Sequence, residues 1–275
     1  MAQQEQLGSD GQIVRNSGAW AREKLYYLER YLEIFSVGMK AKWAGRLYYV
    51  DLFAGPGKCQ IRDTREEIDG SPLIALKFNF AKYFFIEADE RCYQALVVRA
   101  RDRAPEKHVD IVRGDCNDEI TNLKLPASSL GLAFVDPTGV SNLAFETIRK
   151  LAAGRKIDLI INFPEGMGIR MNLHQYTDTE KNALNRFMGS AQWQRRQRQV
   201  PTSFDEMCKE IATEYLANLK SLEYLAVNSD WIPVKTDQNT LLYYLLFASK
   251  NPRGNDFWRK ITRIDPYGQR HLRFS

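Results

Sequence analysis

Leu47-Tyr-Tyr-Val-Asp-Leu-Phe-Ala-Gly-Pro-Gly57 decides how this chain is read. Its first half is a short apolar run bounded by turn residues, which predicts a buried strand. The strand ends on an acid, Asp51, and breaks into a glycine loop. Gly55 and Gly57 let backbone approach a ligand and tolerate unusual dihedrals. Pro56 stiffens the loop by fixing φ. Two further strands follow, Tyr83-Phe-Phe-Ile-Glu-Ala-Asp89 and Asp110-Ile-Val-Arg-Gly-Asp-Cys116, and they deliver Glu87 and Asp115. Three parallel-type strands bringing Asp51, Glu87 and Asp115 to one sheet edge predict a nucleoside pocket, because open parallel sheets bind ligands beyond their C-terminal strand ends.

The elements around this stretch alternate. After a helix over 17–36, with Ser17 as its cap, strands are expected at 47–51, 83–88, 109–113, 130–135 and 157–162. Helices are expected at 71–80, 90–103, 117–123, 142–152 and about 174–187. The strands are short and rich in Val, Ile and Phe, a pattern that predicts a parallel sheet covered on both faces. The polar stretch 58–70 reads as a loop, and Ser71-Pro72 as a helix start. The last third adds a helix at 204–219, strands at 224–227 and 241–248, and a helix at 255–263. One domain is expected over 17–275, preceded by a flexible tail at 1–16. The polar stretch 170–204 reads as an inserted cap near the site.

Bulk properties narrow the class. The chain has 275 residues, 44% of them hydrophobic and 27% charged, as in a water-soluble globular protein. No apolar run approaches the roughly 20 residues of a membrane helix, and the N-terminus lacks the features of a signal peptide. Cys59, Cys92, Cys116 and Cys208 are scattered, with no C-x-x-C pair. That favours a reducing cytoplasm and argues against a metal site or a disulfide framework. The net charge of +5 permits a polyanionic partner. Basic residues gather at Arg253, Arg259, Lys260, Arg263, Arg270 and Arg273, and at Arg195, Arg196 and Arg198; both sets read either as nucleic-acid contacts or as solvated faces.

Phosphate-binding motifs are not met. A dinucleotide fingerprint needs a glycine three positions after Gly57, where Gln60 stands, and a helix starting at once. A P-loop needs a spacing that Gly55-Pro-Gly-Lys58-Cys59 lacks. An acid-tipped glycine loop suits a ligand without phosphates, carrying an amino-acid end and a sulfonium. Phe53, Gly55 and Gly57 would line its place. Glu87 is placed to accept from ribose hydroxyls, Asp115 from an adenine amino group, and the Cys116 N–H to donate to a ring nitrogen. Glu87 and Asp115 each also precede a helix, where a carboxylate serves equally as an N-cap.

This order of motifs resembles the class I, Rossmann-like S-adenosylmethionine-dependent methyltransferases. More narrowly, Asp51-Leu-Phe-Ala-Gly-Pro-Gly57, Gly70-Ser-Pro-Leu73, Phe85-Ile-Glu87, Gly114-Asp115, Phe134-Val-Asp-Pro-Thr-Gly139 and Leu159-Ile-Ile-Asn-Phe163 resemble the three-Cys-motif partner protein (TcmP) family over about residues 17–263. The resemblance implies a seven-stranded, mostly parallel sheet, S-adenosylmethionine as cofactor, methyl transfer, and a protein partner encoded nearby. Asp51, Gly55, Gly57, Glu87 and Asp115 carry over as cofactor contacts.

At the reaction end, Asp136-Pro137 matches the start of the Asp/Asn-Pro-Pro-aromatic element of amino-methyltransferases, which holds an amine towards the methyl carbon; Thr138 and Gly139 depart from it. The same four residues read equally as a turn. Phe163, Tyr176 and Trp193 are candidates for the missing ring. Asn162 is expected to orient a substrate and Glu165 to act as a base, while His174 reads as a solvent-exposed helix start. Nucleic acid is the leading acceptor, with a small molecule, a peptide or a non-catalytic role as alternatives.

Overall fold

The computed structural model describes residues 6–200, 202–225 and 231–268. In chain order its elements are β1 (Arg15–Ser17), α1 (Trp20–Trp43), β2 (Leu47–Asp51), β3 (Lys58–Ile61), β4 (Glu67–Asp69), α2 (Ser71–Ala75), β5 (Lys82–Glu87), α3 (Glu90–Arg103), β6 (Val109–Arg113), α4 (Cys116–Glu119), β7 (Leu130–Val135), α5 (Phe145–Ala152) and β8 (Lys156–Phe163). Then come α6 (Ala183–Met188), α7 (Gln192–Gln199), α8 (Phe204–Ser221), β9 (Ile232–Lys235), β10 (Leu241–Ala248) and α9 (Pro252–Ile261).

Seven strands form one sheet in the order β6-β5-β2-β7-β8-β10-β9. Every neighbouring pair is parallel except those involving β10, which runs antiparallel to β8 and β9. The fold is therefore the expected Rossmann-like α/β class. From β2 the chain steps to β5 and β6 on one side, then crosses to β7 on the other. The direction of winding reverses beside β2, where such sheets hold ligands.

Side-chain alternation divides the core into two layers. Tyr49, Phe85, Phe134 and Ile160 face one way, into a cluster with Leu28, Phe35, Leu73, Leu96 and Trp258. Val50, Ile86, Val135 and Ile161 face the other, with Ile148, Phe187, Ile211 and Tyr215. Each such side chain is worth about 1.5–3 kcal/mol when fully buried, so both faces hold the strands in register and the strand ends in place.

Several expectations need correction. The tail is not frayed from residue 6 onward. Leu7 bridges to Ile13, and β1 pairs in parallel with β3 in a small sheet of order β1-β3-β4. Arg99, buried on α3, clamps this segment. It donates to both Asp10 carboxylate oxygens at 2.8 Å, to the Ile13 carbonyl at 2.7 Å and to the Gln12 carbonyl at 3.2 Å. Its hydrogen bonds hold the Asp10 carboxyl well below the usual range. Residues 58–70 are not a loop but the β3–β4 hairpin, with Lys58 opposite Asp69.

Ser17 belongs to β1 rather than capping α1, whose N-cap, Ala19, makes no side-chain bond, and the helix runs on to Trp43. Helix α2 stops at Ala75, and the expected 174–187 helix is a 3-10 segment, Arg170–Tyr176, followed by α6. The expected strand at 224–227 lies partly outside the described residues.

Candidate active site

The loop after β2 is built by four separate restraints. The Asp51 side chain turns under it, fully buried, and accepts from the Phe53 N–H at 3.2 Å and the Tyr49 hydroxyl at 3.3 Å. Burial pushes its carboxyl up to about 7, against hydrogen bonds from Ser71, Phe53 and Tyr49 that pull it down. The Gly55 N–H donates to Glu87 Oε2 at 2.6 Å, while the Asp89 N–H donates to Oε1 at 2.9 Å. Gly55 and Gly57 sit at φ 64° and 88°, the left-handed region where a side chain is strained. The Gly57 carbonyl accepts from the Gly70 N–H at 2.7 Å, and the Pro56 carbonyl from Arg99 at 2.6 Å.

Above this loop opens a cavity of about 300 Å³, at the small end of ligand pockets. Of the expected residues, Phe53, Gly55, Gly57, Asp136, Pro137 and Asn162 line it. Asp51, Glu87, Asp115 and Cys116 do not. The three carboxylates stand at the ends of adjacent strands, yet they do not share this cavity. Asp51 is spent beneath the loop and Glu87 on two backbone amides. Asp115, exposed, caps α4 by accepting from the Asn117 N–H at 2.8 Å and its side-chain amide at 2.6 Å. Cys116 is buried, and that burial, with the Asp115 charge second, pushes its thiol up to about 12.

Where the sequence predicts the reaction end, the structure places a polar cluster between β7, β8, β10 and α1. Asp136 follows β7 and Asn162 lies near the end of the adjacent β8. The Asn162 Nδ2 donates to Asp136 Oδ1 at 2.7 Å, and Lys24 Nζ, from the second turn of α1, donates to Asp136 Oδ2. With its amide nitrogen committed to Asp136, Asn162 presents Oδ1 as an acceptor, and this buried atom has no partner. Neither has the hydroxyl of Tyr243 on β10, 8% exposed, whose ring lies 5.7 Å from Lys24 Nζ. Burial, then the Asp136 charge, raises the Tyr243 phenol well above its ordinary range, so it remains a neutral donor. Buried polar atoms are almost always satisfied, and here two orphans belong to residues that line one cavity.

The cavity is also basic. Arg15 and Arg62 line it, and neither forms an ion pair among the described residues. Lys58 is shared between Asp10 and Glu67 at 3.2 Å each. Asp136 is the acidic residue among those lining the cavity.

Other expectations are redirected. Glu165 lies off the cavity, in a π-helical turn, and pairs with Arg170 at 2.9 Å. His174 is exposed, as read. Phe163 and Trp193 are buried in the core, and Tyr176 packs against it; the rings that line the cavity are Trp20, Phe53 and Tyr243. No residue of 170–204 lines it either, so its wall comes instead from β1, α1 and the hairpin. Lys24, Tyr243, Arg15 and Trp20 escape a reading of the sequence. Lys24 precedes Leu25 at the border of the helix's apolar face, and this is the single hint it offers.

Arg195 pairs with Glu180, and Arg196 with Glu214. Arg198 lies 3.8 Å from Glu180. Arg270 and Arg273 lie outside the described residues. Among the described residues, no helix is long and apolar enough to cross a membrane, and no group of three or more His, Cys, Asp or Glu side chains is placed to hold a metal ion.

No protein-family model matches this chain, and no curated protein matches it. Among solved structures, a protein from Legionella pneumophila is similar over 90% of this chain and 92% of its own, at 11% identity and a TM-score of 0.49. An rRNA methylase from Streptococcus thermophilus is similar over 84% of this chain and 98% of its own, at 11% identity and a TM-score of 0.45. TYW2 of M. jannaschii, solved in complex with AdoMet, is similar over 79% and 74%, at 10% identity and a TM-score of 0.41. Likenesses this distant leave function to be read from the site itself.

Proposed function

We propose that this chain is an S-adenosylmethionine-dependent methyltransferase of the three-Cys-motif partner type, working on nucleic acid in a reducing cytoplasm. The observation that carries the reading is the left-handed Gly55–Gly57 loop at the switch point, opening on a cavity whose far wall holds Asp136, the unpartnered Asn162 Oδ1 and the unpartnered Tyr243 hydroxyl.

The residues fit the cofactor at its amino-acid end. A Cβ built on Gly55 would meet nothing nearer than the Arg15 guanidinium at 3.9 Å, so backbone is open to a ligand there and a cation is at hand for a carboxylate. Glu87 retains a lone pair on each oxygen after its two backbone bonds and is proposed to take the ribose hydroxyls. Asp115 and the Cys116 N–H are proposed for the adenine edge, outside the cavity proper. When bound, the cofactor supplies a methyl carbon made electrophilic by a positively charged sulfur. The protein's part is to hold an acceptor in line against the Asp136–Asn162 wall and to keep water away. Arg62 at the cavity, with the exposed Arg253, Lys260 and Arg263 elsewhere on the surface, supports a phosphate-bearing acceptor. The Arg195–Arg198 cluster, engaged with Glu180 and Glu214, supports it little.

Calorimetry with S-adenosylhomocysteine, paired with a tritiated methyl-transfer assay on total RNA, DNA and protein, tests the proposal. Binding is expected, with transfer to nucleic acid that weakens as salt rises and is lost in Asp136→Ala. Absence of binding to both S-adenosylmethionine and S-adenosylhomocysteine overturns it.

A further inference from the structure

Resting on the methyltransferase reading, we infer that the atom methylated is a hydroxyl oxygen, and that Lys24 is a catalytic residue that touches it. Both oxygens of Asp136 already carry a donor, Lys24 on one and Asn162 on the other. The residues that line the cavity here carry unpaired groups of both kinds. Asn162 Oδ1 can only accept; the remaining N–H bonds of Lys24 can only donate, and the Tyr243 hydroxyl, kept as a phenol, donates beside them. A hydroxyl uses both, since it gives one hydrogen bond and takes others. An amine nucleophile gains nothing from donors, because its one lone pair must stay free to attack. The charge points the same way. An amine becomes cationic as it is alkylated, next to a fixed ammonium, whereas a hydroxyl oxygen grows negative as its proton departs, and the ammonium favours that.

The step balances as follows. A lone pair of the hydroxyl oxygen forms the new C–O bond while the C–S bond breaks with its pair going to sulfur, leaving a methyl ether and a neutral thioether. As the bond forms, the hydroxyl proton turns from Asn162 Oδ1 to a free lone-pair site of the neighbouring Asp136 and passes from there to water. Within a nucleic acid, such an acceptor is the ribose 2′-hydroxyl, which RNA has and DNA lacks.

Deuterated-methyl S-adenosylmethionine is incubated with the full chain and the separated RNA, DNA, protein and small-molecule fractions of a cell extract. Labelled product is digested and the methylated atom located by mass spectrometry. A methyl ether is expected, in RNA rather than DNA; a methyl on nitrogen or carbon overturns the inference and leaves the methyltransferase reading standing. Binding of S-adenosylhomocysteine with no transfer to any fraction also overturns it, and absence of that binding removes both readings.

On the labelled fraction, Lys24→Gln is expected to lower kcat at least about 100-fold. Its affinity for S-adenosylhomocysteine by calorimetry should stay within about threefold, and its rate should rise with pH as the acceptor must lose its proton unaided. Lys24→Arg, which keeps the charge, should recover part of kcat with a flatter profile. A Lys24→Gln variant whose pH profile matches wild type assigns Lys24 a structural role only.

Discussion

Asp51 is an ionisable group placed where ionisation is costly. Burial lifts its carboxyl from an ordinary 3.8 to about 7, so between those values the folded chain holds a proton that the unfolded chain has released. With more protons bound in the native state, stability falls as pH rises from about 4 to about 7 and is level above that. At about 1.4 kcal/mol per pH unit, the full effect is on the order of 4 kcal/mol. Asp51→Asn removes the ionisation while keeping a hydrogen-bonding side chain of the same shape. Its unfolding midpoint is expected to exceed wild type at pH 8 and to converge with it near pH 4, and thermal melts at the two pH values check this. Equal shifts at both would mean that the gain has nothing to do with the proton. Because Asp51 reaches the site only indirectly, through the Phe53 N–H and the Ser71 side chain, the same variant is expected to bind S-adenosylhomocysteine within about threefold of wild type, the size of effect a lost indirect contact of under 1 kcal/mol produces.

Among the elements, the π-helical turn Glu165–Ile169 and β10 depend on one missing side chain. A Cβ on Gly166 would lie 2.0 Å from the Leu241 carbonyl oxygen and 2.8 Å from that of Leu242. Those are backbone atoms of a strand locked between β8 and β9, so they cannot swing aside. Gly166→Ala is expected to cost at least about 1–3 kcal/mol in urea denaturation and to displace Tyr243 with its strand; a loss under about 0.5 kcal/mol would show that the turn yields freely. What was legible at this scale follows from burial. The inner strands β2, β5, β7 and β8 are covered on both faces, so their apolar runs and their order along the chain can be read directly. The β3–β4 hairpin is half exposed and begins Lys58-Cys-Gln-Ile61, with no run to betray it. Arg15-Asn16 reads as tail and Ser17 as a helix cap, because the pairing partner of these residues lies beyond a whole helix. Asp136 and Asn162 stand at strand ends, where a reading of position reaches them; Lys24 and Tyr243 join them only through the packing of α1 and β10, which no local spacing encodes.

For the molecule as a whole, Arg99 joins what would otherwise be separate parts. One buried guanidinium holds the N-terminal segment through Asp10, Gln12 and Ile13, and the glycine loop after β2 through Pro56. Arg99→Met removes every one of these bonds, leaving the exposed Asp10 with Lys58 and the Gln12 N–H, a loss expected at about 1–3 kcal/mol. Hydrogen exchange is expected to quicken in both β1 and β3, with weaker S-adenosylhomocysteine binding; unchanged protection of residues 15–17 would show that strand pairing alone holds the segment. The Asp10 contribution is present at neutral pH and fades in acid, because the paired carboxyl titrates below its unfolded value. The clamp also bears on how the protein is made. Asp10 and Arg99 are 89 positions apart, and translation at roughly 5–20 residues per second leaves the opening residues without their anchor for several seconds after they leave the ribosome. Residues 10–13 thus wait for an anchor made 86 or more positions later, and a ribosome that stalls before α3 emerges holds a nascent chain with that segment still unclamped.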